Sequence, residues 1–531
     1  MELKSFSFDR ISQLSERDIA YQNNDPKLRT FYKYTPEKAS FKEAIANRRK
    51  SKMHRDVLHA SVEEQYSQLE MSDLQREHIA KLQDENCFTV ITAHQPSLMT
   101  GPLYYIYKVL SVINLAEQLN AEYPEVYVVP ILISGGEDHD FEEINHLQIF
   151  NKEIVWETKH ENESVGRMPI EGLDAVLEQL DEICREGGAG SALIAQCKGI
   201  LSKANSYREF ATRLANLLFN KYGLLVLSMD NLSMKSLLGD IIMDEVLYQT
   251  NKPLIEKVQK EIVAQGFDPQ THLRDINFFY FTEDNKRYRI EKDGDRFIIV
   301  DTDLSFSVEE MRAEITAHPE RFSPNVNMRP IFQELVFPNL AYLGGGGELA
   351  YWLERKDQFE HHGISFPVLM RRNSVAVVNK GLQKSMEKLN LSLENLFSKK
   401  HEIVNAFLES TSGDAFSLAA NIEQIESIFA EVKSKAEELD PTLGPRVEAE
   451  KTKSIKSIAS LEGRLKKVIK QRAESSLGKI DKTYEALFPG ESLQERKVNF
   501  LEFYDAMGET FIDGLKQYLD PFNKEFLFIH L

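Results

Sequence analysis

The pattern of apolar and polar residues in the first third of the chain predicts two buried strands on either side of a helix. The runs CFTVITAHQ (87–95) and VYVVPILIS (126–134) are rich in β-branched residues and lack regular polar positions, as strands buried on both faces do. Between them, apolar residues recur three or four positions apart from Ile106 to Leu119, which is typical of a helix with a buried face. A strand, a helix and a strand in this order predict a right-handed βαβ unit in a parallel sheet, and hence an α/β fold.

Other apolar runs predict further strands. GLLVLSMD (223–230) is a candidate to extend the parallel sheet, and FPVLM (366–370) is another short buried strand. INFFYFTED (276–284) and RFIIVDTD (296–303) are separated by the turn-forming EKDGDR, so we expect them to be antiparallel and separate from the parallel sheet. These strands predict one or more inserted subdomains within about 150–320.

From about residue 379 the pattern changes to that of long helices. In 421–439, and again in 447–487, apolar residues alternate spacings of three and four with charged residues between them, as in a coiled-coil seam. The sequence DPTLGP between these stretches predicts a turn, and so an antiparallel helical hairpin. The predicted organisation is an α/β core at 1–378 that begins with a helical segment, a helical coiled-coil domain at 379–487, and a C-terminal helix and tail at 488–531 that return to the core.

Composition and charge narrow the class of protein. A chain of 531 residues is too long for one ordinary hydrophobic core, so two or three domains are expected. The net charge of −19 argues against a nucleic-acid binder, because such proteins neutralise phosphates with Lys and Arg. The first residues lack the apolar core of a signal peptide and no stretch resembles a membrane span, so we expect no membrane partner. The three cysteines form no CxxC motif, which predicts reduced thiols and a cytoplasmic protein.

The segment GGEDHD, directly after the second predicted strand, carries dense ionisable chemistry. Its four ionisable residues are Glu137, Asp138, His139 and Asp140. One acid would suffice to cap a helix, whereas carboxylates on both sides of an imidazole could tune it as a general base. A metal site is an alternative, because His139, Glu143 and His146 would share one face if the segment were helical. That spacing lacks a fourth ligand, so no metal is assigned.

The loop after the first predicted strand is also polar. Thr100 and Gly101 precede the predicted helix. Thr100 is either a cap of that helix or part of an anion site, in which helix N–H groups bind the anion and Lys108 supplies positive charge. His94 and Gln95 add polar groups at the end of the strand. Because ligands bind beyond the carboxyl ends of parallel strands, we expect this loop and the GGEDHD loop to lie at the same edge of the sheet.

Two further segments contribute candidate ligand-binding groups. Four glycines at 344–347 precede a helical pattern, and their large loss of entropy on folding indicates a close approach of the backbone to a ligand. The motif is neither a P-loop nor a dinucleotide fingerprint. Arginines nearby are candidates because a guanidinium binds carboxylates and phosphates through two parallel hydrogen bonds. The candidate substrate- and phosphate-binding residues are His94, Gln95, Thr100, Gly101, Lys108, Asn325, Arg329, Gly346, Glu348, Tyr351, Arg371 and Arg372.

Four of these segments together resemble one known family. In chain order they are TAHQPSLMTGPLYYIYK, VPILISGGEDHDFEEINH, SPNVNMRPIFQELVFPNLAYLGGGGELAYW and LQERKVNFLEFY. They are similar to the successive signatures of the bacillithiol biosynthesis cysteine-adding enzymes, a family of cysteine ligases. The resemblance implies a Rossmann-like core of the class I nucleotidyl-transferase type and a coiled-coil arm that supports a homodimer. It also implies amide formation between L-cysteine and glucosaminyl-malate, the final step of bacillithiol biosynthesis.

The implied reaction assigns roles to the candidate residues. A carboxylate is a poor electrophile, so the cysteine carboxyl needs activation, for which ATP or another adenine nucleotide is the candidate cosubstrate. Thr100, Gly101 and Lys108 would then contact a phosphate or another anion. The catalytic group, Glu137 to Asp140, would position or deprotonate the amine, and the three arginines would hold carboxylates. Two other functions remain open: a metal-dependent hydrolase of a sugar amide, and a non-enzymatic coiled-coil scaffold, for which the polar strand ends would be unnecessary.

Overall fold

The computed structural model describes residues 2–412 and 418–531, which form two compact units. The first unit comprises the chain up to Ala376 together with Leu493–Ile529, and the second comprises Val377–Ser492 with the last two residues. The strands are β1 (Glu2–Ser7), β2 (Cys87–His94), β3 (Tyr127–Ser134), β4 (His146–Ile149), β5 (Lys152–Val155), β6 (Leu225–Leu227), β7 (Phe278–Phe281), β8 (Arg287–Asp293), β9 (Arg296–Ile299), β10 (Ser305–Ser307), β11 (Phe322–Pro324), β12 (Asn339–Gly344), β13 (Val368–Arg371), β14 (Ser374–Val378) and β15 (Glu525–His530).

Helices cover most of the remaining described residues. They are α1 (Glu16–Gln22), α2 (Ser40–Arg48), α3 (Arg55–Tyr66), α4 (Asp73–Lys81), α5 (Tyr104–Glu122), α6 (Phe141–Ile144), α7 (Leu173–Ile183), α8 (Ala189–Leu201), α9 (Tyr207–Phe219), α10 (Leu232–Ser236), α11 (Gly239–Tyr248), α12 (Asn251–Ala264), α13 (Val308–Ala317), α14 (Arg329–Val336), α15 (Gly346–Leu353), α16 (Lys356–His361), α17 (Lys380–Leu389), α18 (Lys400–Ser412), α19 (Ala419–Leu439), α20 (Gly444–Arg472), α21 (Glu474–Leu487), α22 (Leu501–Met507) and α23 (Glu509–Tyr518). Within residues 2–412 and 418–531, none of these helices has the combination of length and apolar character that crossing a membrane requires.

The core of the first unit is a five-stranded parallel sheet in the order β13-β12-β2-β3-β6. The predicted βαβ unit is confirmed, because β2 and β3 are parallel neighbours and α5 connects them. The expected strands around 223–230 and 366–370 are also confirmed, as β6 and β13. In this arrangement the loops that follow β2, β3 and β12 lie at one edge of the sheet.

A second, antiparallel sheet in the order β10-β9-β8-β7-β11 forms a separate part of the first unit. Both predicted strands are present in this sheet as β7 and β9, separate from the parallel sheet, but the prediction that they are antiparallel to each other across EKDGDR was wrong, because both are antiparallel to β8. That turn connects β8 to β9, and β8 lies between the two predicted strands. The sequence of β8, RYRIEKD, has Ile290 as its one aliphatic residue, so its apolar pattern is too weak to indicate a strand.

The second unit is helical. α19 and α20 pack against each other and are connected by the short turn at Pro441–Leu443, so the predicted helical hairpin is present. The stretch predicted as one helix at 447–487 is divided, because α20 ends at Arg472 and α21 begins at Glu474. The apolar spacing continues through this break, so the sequence pattern does not indicate it.

Candidate active site

The register of the parallel sheet brings two predicted loops together. β2 ends at His94 and β3 ends at Ser134, and these residues are directly opposite each other. β12, the neighbour of β2 on its other side, ends at Gly344 just before α15. The polar groups predicted at three strand ends therefore share one edge of the sheet.

The loop after β2 has an unusual backbone. Met99, Thr100 and Gly101 have φ values of 45°, 68° and 68°, a left-handed conformation that side chains disfavour. A Cβ at Gly101 would lie 2.8 Å from the Ser97 Cβ, so glycine is required there. The buried Asn499 holds the loop, since its Nδ2 donates to the carbonyls of Met99 (2.9 Å) and Gly101 (2.7 Å).

Thr100 does not cap the helix that follows. α5 begins at Tyr104, and Thr100 Oγ1 is a buried atom with no hydrogen-bond partner among the described residues. The hydroxyl lines a narrow cavity together with His94. Burial lowers the pKa of His94 to about 3, and nearby Lys108 acts in the same direction. His94 is therefore a neutral imidazole at pH 7.

Lys108 and Glu348 form a pair between α5 and α15. Lys108 is 1% exposed, and its Nζ lies 2.9 Å from Glu348 Oε1 and also donates to the Ala93 carbonyl. Glu348 in turn accepts from the Gly345 N–H (2.9 Å) at the start of its own helix. Burial alone would raise the pKa of Glu348, but Lys108 and this N–H lower it to about 2. Glu348 is therefore ionised at neutral pH.

Arg329 lies on the same side of the site. Its Nη2 donates to the Tyr351 hydroxyl at 3.0 Å, and its guanidinium lies 5.5 Å from the ring centre of Tyr342. Tyr342 donates its own hydroxyl hydrogen to Glu348 Oε1 at 2.7 Å. Arg329, Glu348 and Tyr351, three of the predicted binding residues, are thus connected through Tyr342.

Arg372 is bound by a residue from the C-terminal segment. Its Nη2 lies 2.9 Å from Oε1 of Glu495, and both residues are buried. The guanidinium lies 5.1 Å from the ring centre of Tyr104, while its Nε has no partner in the described structure. Glu495 therefore neutralises the charge of Arg372, and the Nε–H of Arg372 remains available as a hydrogen-bond donor.

Arg371 and Gly346 both contact Asp18. Arg371 makes a two-pronged contact with the buried Asp18 of α1, with its Nε 2.9 Å from Oδ1 and its Nη2 2.9 Å from Oδ2. Gly346 lies against the same carboxylate, where a Cβ would collide with it. The sequence predicted that the glycine run brings the backbone close to a ligand. At Gly346 the close contact is with the Asp18 side chain.

Asp138 and His139 form the second part of the site. Asp138 accepts from Arg287 Nη1 (2.9 Å), from Gln95 Nε2 (3.2 Å) and from the His139 N–H (2.8 Å). Burial opposes ionisation of Asp138, but Arg287 together with the hydrogen bonds from the His139 N–H and Gln95 lowers the pKa of the carboxyl. Burial and Arg287 also lower the pKa of His139. At neutral pH an ionised carboxylate therefore lies beside a neutral imidazole, 3.6 Å from its Nδ1.

Glu137 contacts a different set of charges. Its Oε2 lies 3.0 Å from Nζ of Lys235, which also lies 3.1 Å from Asp230. Arg167 and Arg208 bind the same Asp230, Arg167 through two hydrogen bonds of 2.9 and 2.8 Å. Glu137 is thus part of a buried ionic network beside the catalytic candidates.

Asp140 caps α6, since its carboxylate accepts from the Glu143 N–H at 3.3 Å. This helix contains only Phe141–Ile144, so His139 precedes it and His146 begins β4. In the described structure His139, Glu143 and His146 therefore do not share one face of a helix. The prediction of a metal site on such a face was wrong.

Asn325 lies in a separate polar group. Its Nδ2 donates to Asn277 Oδ1 at 2.9 Å, and its own oxygen accepts from the Asn327 N–H. These contacts hold the turn between β11 and α14. The structure therefore gives Asn325 a local role in this turn, close in sequence to Arg329.

Sequence reasoning missed several residues that complete the site. They are Tyr104, Arg167, Arg208, Asp230, Lys235, Arg287, Tyr342, Glu495 and Asn499. Glu495 and Asn499 belong to the motif LQERKVNF, which was noticed as a signature but given no role. Tyr104 and Tyr342 also lie in two of the four motifs, and the other five are polar residues outside the motifs whose importance depends on contacts in the folded chain.

A parallel α/β sheet with polar groups at its carboxyl edge, together with a helical second unit, defines a Rossmann-like protein with a coiled-coil domain. Residues 1–373 match the family model described as bacillithiol biosynthesis BshC, N-terminal Rossmann-like domain, and residues 375–531 match its C-terminal coiled-coil domain. The chain belongs to this BshC family of bacillithiol biosynthesis, and the expected fold class is confirmed.

Relatives cover almost the whole chain. Proteins named "Putative cysteine ligase BshC" from Christiangramia forsetii and Flavobacterium psychrophilum are each 36% identical to it, covering 99% and 100% of this chain and 98% and 99% of their own. A relative of the same name from Bacillus thuringiensis is 27% identical and covers 97% of both chains. The resemblance seen in the four sequence motifs is therefore confirmed.

Proposed function

We propose that the protein is a ligase that joins the carboxyl of L-cysteine to the amino group of glucosaminyl-malate, which completes bacillithiol. Membership of the BshC family and the names of the relatives support this reaction. The structural observation that carries the proposal is the neutral His139 beside the ionised Asp138, at the sheet edge that also holds Lys108 and Arg372. Amide formation from two charged substrates needs a base for the amine and hydrogen-bond donors for an anion.

His139 is the proposed base. Its imidazole is 45% exposed, so a substrate amine can reach it. Asp138 orients the ring and stabilises the imidazolium that forms when the amine loses its proton. Arg287 favours the ionised form of Asp138 and, together with burial, the neutral form of His139 between turnovers.

The proposed anion pocket draws on Thr100, which follows β2, and on Arg372, which follows β13. The hydroxyl of Thr100 and the Nε of Arg372 are buried donors without partners among the residues described, and buried polar groups normally have one. A carboxylate or phosphate oxygen would satisfy both kinds of donor. Arg371 is not part of this proposal, because Asp18 already occupies its guanidinium.

We also propose that ATP or another adenine nucleotide activates the cysteine carboxyl. Direct condensation of a carboxylate with an amine has no good leaving group, whereas an adenylate or acyl phosphate releases AMP or phosphate when the amine attacks. Such a reaction fits the cytoplasm, where ATP is available and cysteine stays reduced.

Reconstitution with detection of the product mass tests this function. The purified chain is given glucosaminyl-malate, cysteine and magnesium ATP, and a parallel reaction omits the nucleotide. Bacillithiol formed only with ATP, with release of AMP or ADP, supports the proposal and identifies the activation. Hydrolysis of a sugar amide without ATP, stopped by a chelator, would instead favour the metal-dependent hydrolase.

Paired histidine variants connect the reaction to the site. His139→Ala is expected to remove most product formation, whereas His146→Ala, an exposed histidine of β4, should keep it. Equal rates in the two variants would contradict the role of His139 as a base.

We further propose that a second copy of the chain covers the apolar residues of the second unit. Both long helices expose large side chains, namely Ile428, Val432, Leu439, Leu461, Leu465 and Val468. Leu439 is 86% exposed. An apolar residue in a coiled-coil pattern is normally covered by a neighbouring helix, so we expect a second chain to cover it. Light scattering should give twice the chain mass of 61.0 kDa, and a Leu461→Glu/Leu465→Glu variant should give a monomer. A monomeric wild-type protein would refute the dimer.

A further inference from the structure

A group of two histidines and one aspartate lies outside the site described above. Asp244 is on α11, which follows β6, and His361 and His362 are at the end of α16, which precedes β13. One ligand atom from each of the three residues lies within 4.8 Å of the other two. Neither the proposed reaction nor the anion pocket uses any of them.

The side chains of this group are already oriented by neighbouring residues. Nε2 of His361 lies 3.2 Å from Asp244 Oδ2, and the two imidazole rings lie 4.8 Å apart at 77° to each other. The hydroxyl of Thr250 donates to the same oxygen of Asp244. Such outer contacts are typical of metal ligands, because they fix the direction of the lone pairs.

The partner of His362 determines its tautomer. Its Nε2 lies 2.9 Å from Oδ1 of Asn251, whose amide nitrogen donates to Glu245 at 2.7 Å. That second contact fixes the orientation of the Asn251 amide, so its oxygen must face His362 and accept a hydrogen from Nε2. The proton on Nε2 leaves Nδ1 with a free lone pair, as a metal ligand requires.

We propose that Asp244, His361 and His362 bind a divalent transition-metal ion, with Zn²⁺ as the ion that suits the site best. Two imidazoles and one carboxylate form a borderline-soft donor set, which favours zinc over magnesium or calcium. The Asp244 and His361 side chains are 30% and 39% exposed, so an ion can enter and water can complete its coordination. A tetrahedral zinc site places its ligand atoms about 3.3 Å apart, which small side-chain rotations from the observed spacing can reach.

The bound ion would connect two parts of the first unit. α11 belongs to the segment inserted after β6, whereas α16 leads directly into the parallel sheet through β13. A metal bridge between them would hold the inserted segment on the core without a disulfide. Binding to the folded chain alone would raise its melting temperature in proportion to the logarithm of the free metal concentration.

Metal titration of the full chain tests the proposal. Protein freed of metal with EDTA and then gel-filtered is titrated with ZnCl₂ by calorimetry, and Co²⁺ is added separately to record its absorption bands. We expect one equivalent per chain, cobalt bands of tetrahedral intensity, and a higher melting temperature with Zn²⁺. Absence of binding at about 100 μM Zn²⁺, far above the usual range for protein zinc sites, would overturn the site.

Three variants locate the bound ion. Asp244→Asn keeps the size of the side chain and its hydrogen bonds but removes the anionic ligand, and His361→Ala removes a ligand at the exposed end of a helix. Each should weaken Zn²⁺ binding by at least about tenfold and abolish the rise in melting temperature. His318→Ala, which removes a histidine paired with Glu320 elsewhere, is the matched control and should bind as the wild type does. Undiminished binding in both cluster variants would overturn the assignment.

Discussion

Neutralising Glu495 should destabilise the first unit strongly, because it leaves a buried arginine without its counter-charge. Glu495 is 0% exposed and accepts hydrogen bonds from Arg372 Nη2 (2.9 Å), Ser374 Oγ (3.0 Å) and the Val375 N–H (2.9 Å). In Glu495→Gln an amide nitrogen replaces one acceptor oxygen, so a donor faces a donor. Removing one partner of a buried ion pair costs about 3–5 kcal/mol. We expect Glu495→Gln to lower the free energy of unfolding by this amount.

The effect should also depend on pH with a defined sign. Burial disfavours the charged form of Glu495, but Arg372, Arg371 and the Val375 N–H together lower the pKa of the carboxyl. A folded-state pKa below the unfolded one gives stability that is fully present above the unfolded value and is lost as pH falls through the folded one. The difference between wild type and Glu495→Gln should therefore shrink on acidification.

Tryptophan fluorescence during urea unfolding measures this loss. The two tryptophans, Trp156 and Trp352, are both buried in the first unit, so their emission follows that unit and not the helical one. Glu509→Gln is the matched control, because Glu509 is exposed and its pair with Lys221 should contribute less than about 1 kcal/mol.

Two results would refute the reasoning. A loss below about 1 kcal/mol in Glu495→Gln would show that the buried pair is energetically neutral. A double variant that also replaces Arg372 with methionine removes the stranded charge, so it should recover part of the stability. If it is as unstable as the single variant, the unpaired guanidinium is not the cause.

The β2 loop and the proposed base give the remaining predictions. Gly101→Ala should destabilise the protein by about 1–3 kcal/mol, because it forces a side chain into a left-handed conformation. The control Gly199→Ala adds a methyl group in open space on α8, so it should raise the stability slightly. Thermal melting distinguishes the two variants. Asn499→Ala orphans two buried carbonyls, so it should cost about 2 kcal/mol and reduce product formation in the reconstituted assay; a rate equal to wild type would contradict the proposed role of the loop. Arg287→Gln should raise the pKa of His139, because the guanidinium lowers it. NMR titration of the imidazole measures this pKa. A value no higher than that of the wild type would contradict the role of Arg287.

The parts of the fold that the sequence predicted are those with strong local patterns. β2, α5 and β3 were recognisable because an unbroken apolar run, a helical stripe and a second run follow one another. β8 and the helix break at Ala473 were not recognisable, because neither leaves a clear mark in the pattern of apolar residues.

The predicted site differed most where charges have distant partners. Lys108 was expected to be a free cation, but Glu348, 240 residues away, neutralises it. Arg371 was expected to bind a substrate carboxylate, and Asp18, 353 residues away, binds it instead. Residue types at one strand end indicate chemistry, but one sequence does not show which charges are already paired.

The first unit is discontinuous in the chain, and this determines when its candidate site can form during synthesis. Leu493–Ile529 supply Glu495 and Asn499, which hold Arg372 and the β2 loop, so both remain unsupported until the ribosome has passed the helical unit and made this segment. The inserted helical unit can fold before the first unit is complete, because domains fold as their own residues emerge. A nascent chain stopped in the helical unit would thus carry a buried arginine without a counter-charge, a state that cellular quality control removes. Synthesis of the segment after the helical unit is in this sense the last step in assembling the site.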